Sequence, residues 1–419
     1  MNAVRPSWAA GRVPAPDVAR GLMLWVIAVA NVTVWIWAAG PTDGPRDRTL
    51  GTGADTAGWT ADDVVNMAMS MLVDGRGFPL FSFLVGYGVG QIAAREAARG
   101  TPLPLARGLL LRRYGWLVLI GALHACLLFP GDIITAYAFG GLFLAVLIAE
   151  STRTLVVLAA LGSVLMVLYG AASWAVRTPG TPPFPSLVAD SLPERLVLGV
   201  AEGFGVVSFA PLQLLGLLPM LLLGLALSRY RVLEDPGSRR GRLVGTAAAC
   251  IVLGLATGTG TGLLTTDRLE PTPAAGSVLT GVDAMTGAAQ GIGYALVVAL
   301  VCDRVLRRAP GPRTGAGVLR AREHPMLWSL QALGRRSMSG YLAQSVLFTV
   351  LLPPFALGLG RALTPTAALL LGSAVWLATL LGAALLERRG RPGPAEALHR
   401  RLFLGPARDR SGPPPAASA

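Results

Sequence analysis

Ionisable and polar side chains are scarce in the long apolar runs of this chain, and the few that occur there fall into three groups. The first is Asp17-Val18-Ala19-Arg20-Gly21, at the edge of an apolar run, with Asn31 inside the run. Asp17 and Arg20 are three residues apart, so on a helix they share a face and can pair. Arg20 reads equally as a membrane-edge anchor and as a donor fork for a phosphate-bearing ligand, with Asp17 and Asn31 beside it. The second group is His124, then Pro130-Gly131-Asp132-Ile133, then Tyr137. Pro-Gly forces a reversal. His124 precedes it by six residues, a depth of about 9 Å at the α-helical rise, and the returning helix reaches that depth near Tyr137. Histidine exchanges protons near neutral pH, and a carboxylate neighbour fixes its tautomer, so His124 is a general-base candidate with Asp132 and Tyr137 as its partners. A purely structural hydrogen bond from the His124 ring stands level with that reading. For Asp132 alone the leading reading is a helix N-cap, because it follows Pro-Gly and precedes an apolar run.

The third group is a stripe at helical spacing: Ser337, Tyr341, Gln344, Ser345 and Phe348. Hydrogen bonding between helices is its leading role, with Tyr341 and Gln344 also placed to meet a ligand. Asp283 reads as a solvated residue at the end of an apolar run, and His324 and His399, among arginines, as solvated too. No H-E-x-x-H or His/Cys cluster suggests a metal. No G-x-G-x-x-G or G-x-x-x-x-G-K-[ST] sequence follows a strand, so a nucleotide-binding loop is not expected.

What must position these groups follows from composition. Of 419 residues, 53% are apolar and only 14% charged, with a mean hydropathy of +0.57. A soluble globule needs about a quarter of its residues charged, and a disordered chain pairs low hydrophobicity with high net charge, so both classes are excluded. The 52 Gly and 31 Pro follow no three-residue period, which excludes collagen. All 36 basic residues are Arg, clustered between apolar runs, so the net charge of +13 calls for no nucleic-acid partner. Cys126, Cys250 and Cys302 lie in or beside apolar runs without C-x-x-C spacing and read as packing residues.

Ten runs approach the 17 to 25 residues that cross a hydrocarbon core about 30 Å thick: residues 21–39, 79–94, 114–129, 133–149, 155–176, 206–227, 243–264, 278–301, 339–360 and 367–386. With the N-terminus inside, the cytoplasmic segments hold 29 Arg and 10 acids, and the outer ones 7 Arg and 13 acids, counting with them Asp283 just inside the outer end of the eighth run. That separation is the positive-inside pattern, and a miscount by one span would destroy it. The expected architecture is therefore all-α: a polytopic integral membrane helical bundle of about ten transmembrane helices with both termini cytoplasmic. Residues 1–20 form a cytoplasmic N-terminal segment. Residues 21–302 hold spans one to eight with an outer loop at 40–78. Residues 303–338 are an Arg-rich cytoplasmic linker, 339–386 hold spans nine and ten, and 387–419 form a cytoplasmic tail, disordered after about 405. Within the outer loop, Thr60-Ala61-Asp62-Asp63 resembles a capping box. It opens a helix through Leu72 with Val64, Val65, Ala68, Met71 and Leu72 on one face, lying on the outer membrane surface. Gly86/Gly90, Gly254/Gly258/Gly262 and Gly287/Gly291 recur at four-residue spacing, the pattern of closely packed membrane helices.

Taken together, these pieces resemble the YeiB-like bacterial membrane proteins that carry a C-terminal domain of unknown function. The likeness runs in order through Asp17-Val18-Ala19-Arg20-Gly21 with Asn31; Phe81-Ser82-Phe83-Leu84-Val85-Gly86-Tyr87-Gly88; Leu111-Arg112-Arg113 through Gly121, His124, Gly131-Asp132-Ile133 and Tyr137; Gly334-Arg335 through Tyr341-Leu342 and Gln344-Ser345; and Gly393-Pro394-Ala395-Glu396. It departs at Ala397, where the family often has an aromatic, and at Gly77, where it often has a Lys. That family is similar to transmembrane acyltransferases of the heparan glucosaminide acetyltransferase type. The resemblance implies a multi-pass cell-membrane protein in the lipid bilayer. It would pass an acyl group from cytosolic acyl-CoA, a donor substrate and not a tightly bound cofactor, to a small-molecule or glycan acceptor outside. His124 would serve as base and Arg20 would help hold the donor. The rival reading is a small-solute transporter, for which an inverted repeat is expected and none is found. A third is a non-catalytic envelope-assembly protein.

Overall fold

The structure, a computed structural model, describes residues 13–38, 58–175, 184–266, 268–308, 319, 321 and 323–405. Among the described residues it is all helical, without strands: α1 (Pro14–Ala38), α2 (Ala61–Leu72), α3 (Gly77–Ala98), α4 (Leu103–Leu127), α5 (Ile134–Leu147), α6 (Thr152–Ala175), α7 (Leu192–Ser228), α8 (Arg240–Thr265), α9 (Pro273–Arg308), α10 (Pro325–Gly334), α11 (Ser337–Leu351), α12 (Pro365–Arg388) and α13 (Pro394–Leu404). Residues 1–12 of the N-terminal segment, 39–57 of the outer loop, most of 309–322 in the linker and the tail from 406 lie outside the described residues.

Among the described residues, eight helical stretches are long and apolar enough to cross a membrane, α2 and α3 counting as one. Two apolar helices are shorter, α5 with 14 residues and α11 with 15. The run expected at 339–360 ends as a helix at Leu351 because Pro353-Pro354 follows: proline lacks the backbone donor and disfavours helical backbone in the residue before it. Within the stretch read as a cytoplasmic linker, α10 packs along α1 and α12.

α1 runs through the middle of the bundle against α3, α9, α10, α11 and α12, and its Met23, Ile27 and Val29 are fully enclosed. α3 and α7 approach backbone to backbone. A Cβ on Gly86 would sit 2.0 Å from the Leu221 carbonyl oxygen, and one on Gly224 2.1 Å from that of Phe83. α4, α6 and α8 are peripheral and turn large apolar residues such as Leu119, Leu161 and Val252 outward. In water this would be an aggregation surface. Against lipid it is the expected exterior.

α2 makes the same inversion locally. Its N-terminus is the expected capping box, with the Thr60 hydroxyl accepting from the Asp63 N–H and the Asp63 carboxylate from that of Thr60. Its face polarity, however, is the reverse of a soluble helix: Asp63, Asn66, Met69 and Ser70 are buried against the protein, while Val64 and Leu72 are exposed. Asp63 also lies 3.5 Å from Arg268, and Ser70 hydrogen-bonds Thr265 of α8.

The strongest tie of this region is one that the sequence reading missed. Arg76, in the α2–α3 elbow, is completely buried. Its guanidinium forms a bidentate pair with Asp283 of α9 at 2.8 and 3.0 Å, donates to the Gly254 carbonyl at 2.8 Å and to Gln290 at 2.9 Å, and reaches the Asp74 carbonyl. All five N–H groups are thereby used. Asp283 is therefore a buried, paired acid that also accepts from Thr257, and not the solvated boundary residue expected. The glycine repeats make room for this pair: a Cβ on Gly258 would lie 2.5 Å from an Arg76 nitrogen, and one on Gly287 3.2 Å from its guanidinium carbon.

Removing one partner of a buried ion pair strands the other charge, at a cost of about 3 to 5 kcal/mol, whereas replacing both by apolar residues is often near neutral. Arg76→Leu should sharply lower the melting temperature of the detergent-solubilised protein, and Arg76→Leu with Asp283→Leu should recover most of it. Equal melting of the single and double variants would show that the pair is not what holds α2 and α3 to α9.

Candidate functional site

His124 sits in the last turn of α4, Asp132 just after the Pro130-Gly131 reversal, and Ser345 in the middle of α11. Folding α4 back on α5 and laying α11 across them brings the three together. His124 Nδ1 is 2.7 Å from Asp132 Oδ1, and its Nε2 is 2.8 Å from Ser345 Oγ. Asp132 carries both roles that its sequence context suggested. Its Oδ1 also accepts from the Ile134 N–H at 3.1 Å and its Oδ2 from that of Thr135 at 2.7 Å, so the start of α5 holds the carboxylate that holds the imidazole. Gly121 permits this approach, since a Cβ there would lie 2.4 Å from the Thr135 hydroxyl and 3.0 Å from Asp132. A carboxylate can only accept, so Nδ1 carries a proton toward Asp132, and in the neutral imidazole a lone pair on Nε2 faces Ser345.

The other sequence candidates divide between this centre and its approach. The Tyr341 ring packs against His124 at a tilt of 48° with centroids 4.9 Å apart. Its hydroxyl lies beside Asn31 and the Ile133 backbone without good hydrogen-bond geometry to either. Tyr137 does not bond His124. Its hydroxyl donates to the Phe78 carbonyl at 2.9 Å and its ring stacks on Phe81, so the aromatic partner of His124 comes from α11 and not from α5. Gln344 faces away toward α1 and α12, donating to the Leu24 carbonyl and to Thr379. Asp17 pairs with Arg20 at 3.2 Å and lies 3.6 Å from Arg335, while Arg20 also donates to the Leu84 carbonyl.

A cavity of about 530 Å³ joins Asp17, Arg20, Tyr137, Tyr341 and Arg335, while His124, Asp132 and Ser345 lie behind its wall. Its deep end is walled by Leu24, Ile27, Ile133, Ile134, Tyr137 and Tyr341, and its other end by Asp17, Arg20, Arg95, Arg113, Arg231, Arg335, Glu396 and His399. The sequence flagged only Arg20 among these arginines. A second cleft of about 840 Å³ shares Arg95, Arg113, Arg335, Glu396 and His399 with it and adds Arg99, Arg400 and Arg401. A long site results, apolar within and cationic at the mouth. α13 forms one wall of that mouth. Glu396 accepts from the backbone N–H groups of Met338 and Ser339 at the start of α11, at 2.8 and 3.1 Å. Glu387 pairs with Arg335 at 2.7 Å and Arg336 at 2.6 Å. Among the described residues no group of three His, Cys, Asp or Glu could hold a metal.

His399 of α13, expected to be solvated, is buried, donates from Nε2 to the Arg113 carbonyl at 2.8 Å and packs at a tilt against Phe403. Burial pushes its pKa down from 6.5 to about 4, the carbonyl hydrogen bond opposing. The folded value is below the unfolded one, so the undocked helix binds more protons between these values. Docking of α13 should accordingly be complete above about pH 6.5 and weaken as the pH falls toward 4. Trypsin cleavage at Arg400 and Arg401 should accelerate over that window in the wild-type protein and change little in His399→Gln. Identical profiles for the two proteins would contradict it.

The description "protein of unknown function (DUF418)" belongs to a family model that matches residues 227–406. This stretch contains Asp283, Tyr341, Ser345 and Glu396 but not His124, Asp132 or Arg20. The chain is also similar along nearly its whole length to an uncharacterized protein, YxaH, of Bacillus subtilis (strain 168), at 24% identity over 430 aligned residues covering 96% of each.

Proposed function

We propose that the protein is a transmembrane acyltransferase, taking an acyl group from a cytosolic phosphate-bearing donor of the acyl-CoA type to a hydroxyl-bearing acceptor on the outer side. The observation that carries this reading is the single cavity that is cationic at one end and apolar at the other, stopping at the Tyr341 ring against which His124 packs. Arginine forks match phosphate oxygens bidentately, and an apolar tunnel accepts the acyl chain. His124, its tautomer set by Asp132, is the base that such a transfer needs. The topology that goes with it has ten crossings and both termini cytoplasmic, which puts the arginine end of the cavity inside and the Pro130-Gly131 reversal outside. The cationic mouth then faces the compartment that supplies acyl-CoA, and the helix ends near His124 face the acceptor.

Two measurements test the reading. In a variant stripped of its own cysteines, a cysteine at Ser238 should be labelled only from the cytoplasmic side and one at Glu270 only from outside; labelling of both from one side would sink the topology. In proteoliposomes loaded with radiolabelled acyl-CoA, the wild-type protein should transfer label to acceptors on the opposite side. His124→Gln should accumulate and melt normally yet lose about 10² to 10⁴-fold in rate, the range for general-base assistance. Asp132→Asn keeps a helix cap but no longer fixes the imidazole tautomer, so it should lose rate as well. Wild-type vesicles that transfer no acyl group but move a solute would return the protein to the transport reading.

A further inference from the structure

His124 Nε2 does not face the cavity directly. It faces the hydroxyl of Ser345, and that arrangement has the order of a nucleophile, a base and an orienting carboxylate. Asp132 accepts from Nδ1–H at 2.7 Å, so in the neutral imidazole Nε2 is the acceptor of the 2.8 Å bond and the Ser345 hydroxyl its donor. The other neutral tautomer, with Nε2 protonated, would leave two acceptors, a bare Nδ1 and a carboxylate, facing each other at 2.7 Å. In the imidazolium Nε2 donates to Ser345, whose hydroxyl turns to the Tyr341 carbonyl at 3.3 Å, so it is the neutral imidazole that takes the serine proton. All three side chains are almost wholly buried, so the bonds are formed away from water, where they are strongest. A serine whose proton is already shared with an oriented imidazole is an activated nucleophile on any fold.

Ser345 also occupies the right place. It lies one helical turn beyond Tyr341 on the same face of α11, and Tyr341 closes the deep end of the cavity. The Tyr341 hydroxyl is buried without a firm hydrogen bond, which makes it a donor that an oxyanion beside Ser345 can use. On the far side, Thr349, one turn further along α11, donates to the Leu128 carbonyl at the end of α4. Ser345 thus stands between the donor cavity and the helix ends assigned to the outer side.

We infer that Ser345 is a catalytic nucleophile that carries the acyl group as an ester between donor and acceptor. The inference rests on the acyl-transfer reading above and deepens it. In the first half, Ser345 Oγ attacks the thioester carbonyl carbon while its proton passes to His124 Nε2. The C–S bond breaks and the thiol departs with that proton. In the second half, an acceptor hydroxyl gives its proton to Nε2 and attacks the ester carbonyl carbon. The bond to Ser345 Oγ breaks, and Oγ recovers the proton. The reaction is a double displacement, and no oxidant or metal is required for its balance.

The experiment uses the full chain in nanodiscs with radiolabelled palmitoyl-CoA and no acceptor, and in parallel with an alkyl fluorophosphonate, which reports an activated serine without reference to any donor. Wild-type protein should take up close to one equivalent of label from each reagent, mapped to Ser345 by peptide mass spectrometry, and His124→Gln and Ser345→Ala should take up none while melting like wild type. Ser345→Cys should be acylated as a thioester, cleaved by neutral hydroxylamine, whereas the wild-type oxyester resists it; a merely structural serine would not produce that change. Acyl transfer that persists in Ser345→Ala, or that proceeds in wild type without a covalent intermediate, would overturn the nucleophile and leave direct transfer assisted by His124. Fluorophosphonate labelling at Ser345 without any acylation by palmitoyl-CoA would support the nucleophile and overturn the donor. Absence of labelling by both reagents would overturn both.

Discussion

A charge enclosed by helices in an apolar surrounding has no water to fall back on, and Arg76 shows how completely this chain meets that constraint. Every donor of its guanidinium is taken, by Asp283 twice, by Gln290 and by two backbone carbonyls. The elbow between α2 and α3 is thereby fixed to α8 and α9 at once. The consequences spread outward. α2 must turn Asp63, Asn66 and Ser70 inward and its aliphatic residues outward. α8 and α9 must carry glycines where the guanidinium passes. α3, held at its start, then lies against α7 closely enough that Gly86 and Gly224 admit no Cβ.

The same constraint builds the candidate site. Asp132 has its oxygens occupied by two α5 backbone donors and His124, and these hold the carboxylate in place. Its position selects the Nδ1–H tautomer of the neutral imidazole, and that tautomer turns Nε2 toward the Ser345 hydroxyl. Structural capping and chemical orientation are one arrangement here, because the amides that satisfy the helix terminus also satisfy the acid. Carboxylates organise the cationic end in a similar way: Glu387 of α12, paired with Arg335 and Arg336, and Glu396 of α13, accepting from the first turn of α11, tie α12 and α13 to the junction of α10 and α11. Arg113 stays in that wall beneath Phe403 and beside the buried His399. The cavity therefore has a rigid cationic mouth and a floor closed by Tyr341, the one floor residue whose polar atom lacks a firm bond.

Much of this was legible in order along the chain. Apolar run length and arginine asymmetry are one-dimensional quantities, because a bilayer imposes a length on each crossing and a charge bias on each connection. The capping box at Thr60 and the turn at Pro130-Gly131 are local as well, since their hydrogen bonds close within a few residues. His124 and Asp132 could be paired for the same reason: a tight reversal leaves two helix ends few ways to lie. The errors fall where a partner is remote. Asp283 was read as solvated because its arginine is 207 residues earlier, and Tyr137 was placed against His124 because nothing local revealed that α11 supplies Tyr341 instead.

The sequence by itself determined that the protein is helical and membranous and where its few costly polar groups lie, since hydropathy, turn chemistry and capping are properties of neighbouring residues. Only the tertiary structure decided which of those groups meet. It joined Ser345 to His124 across 221 positions, gathered Arg95, Arg113, Arg231 and Arg335 around one mouth, and buried His399 against α4. The physical reason is that a charge or hydroxyl within a bundle is satisfied by whichever helix packs beside it, and packing is a choice among surfaces that no local pattern specifies.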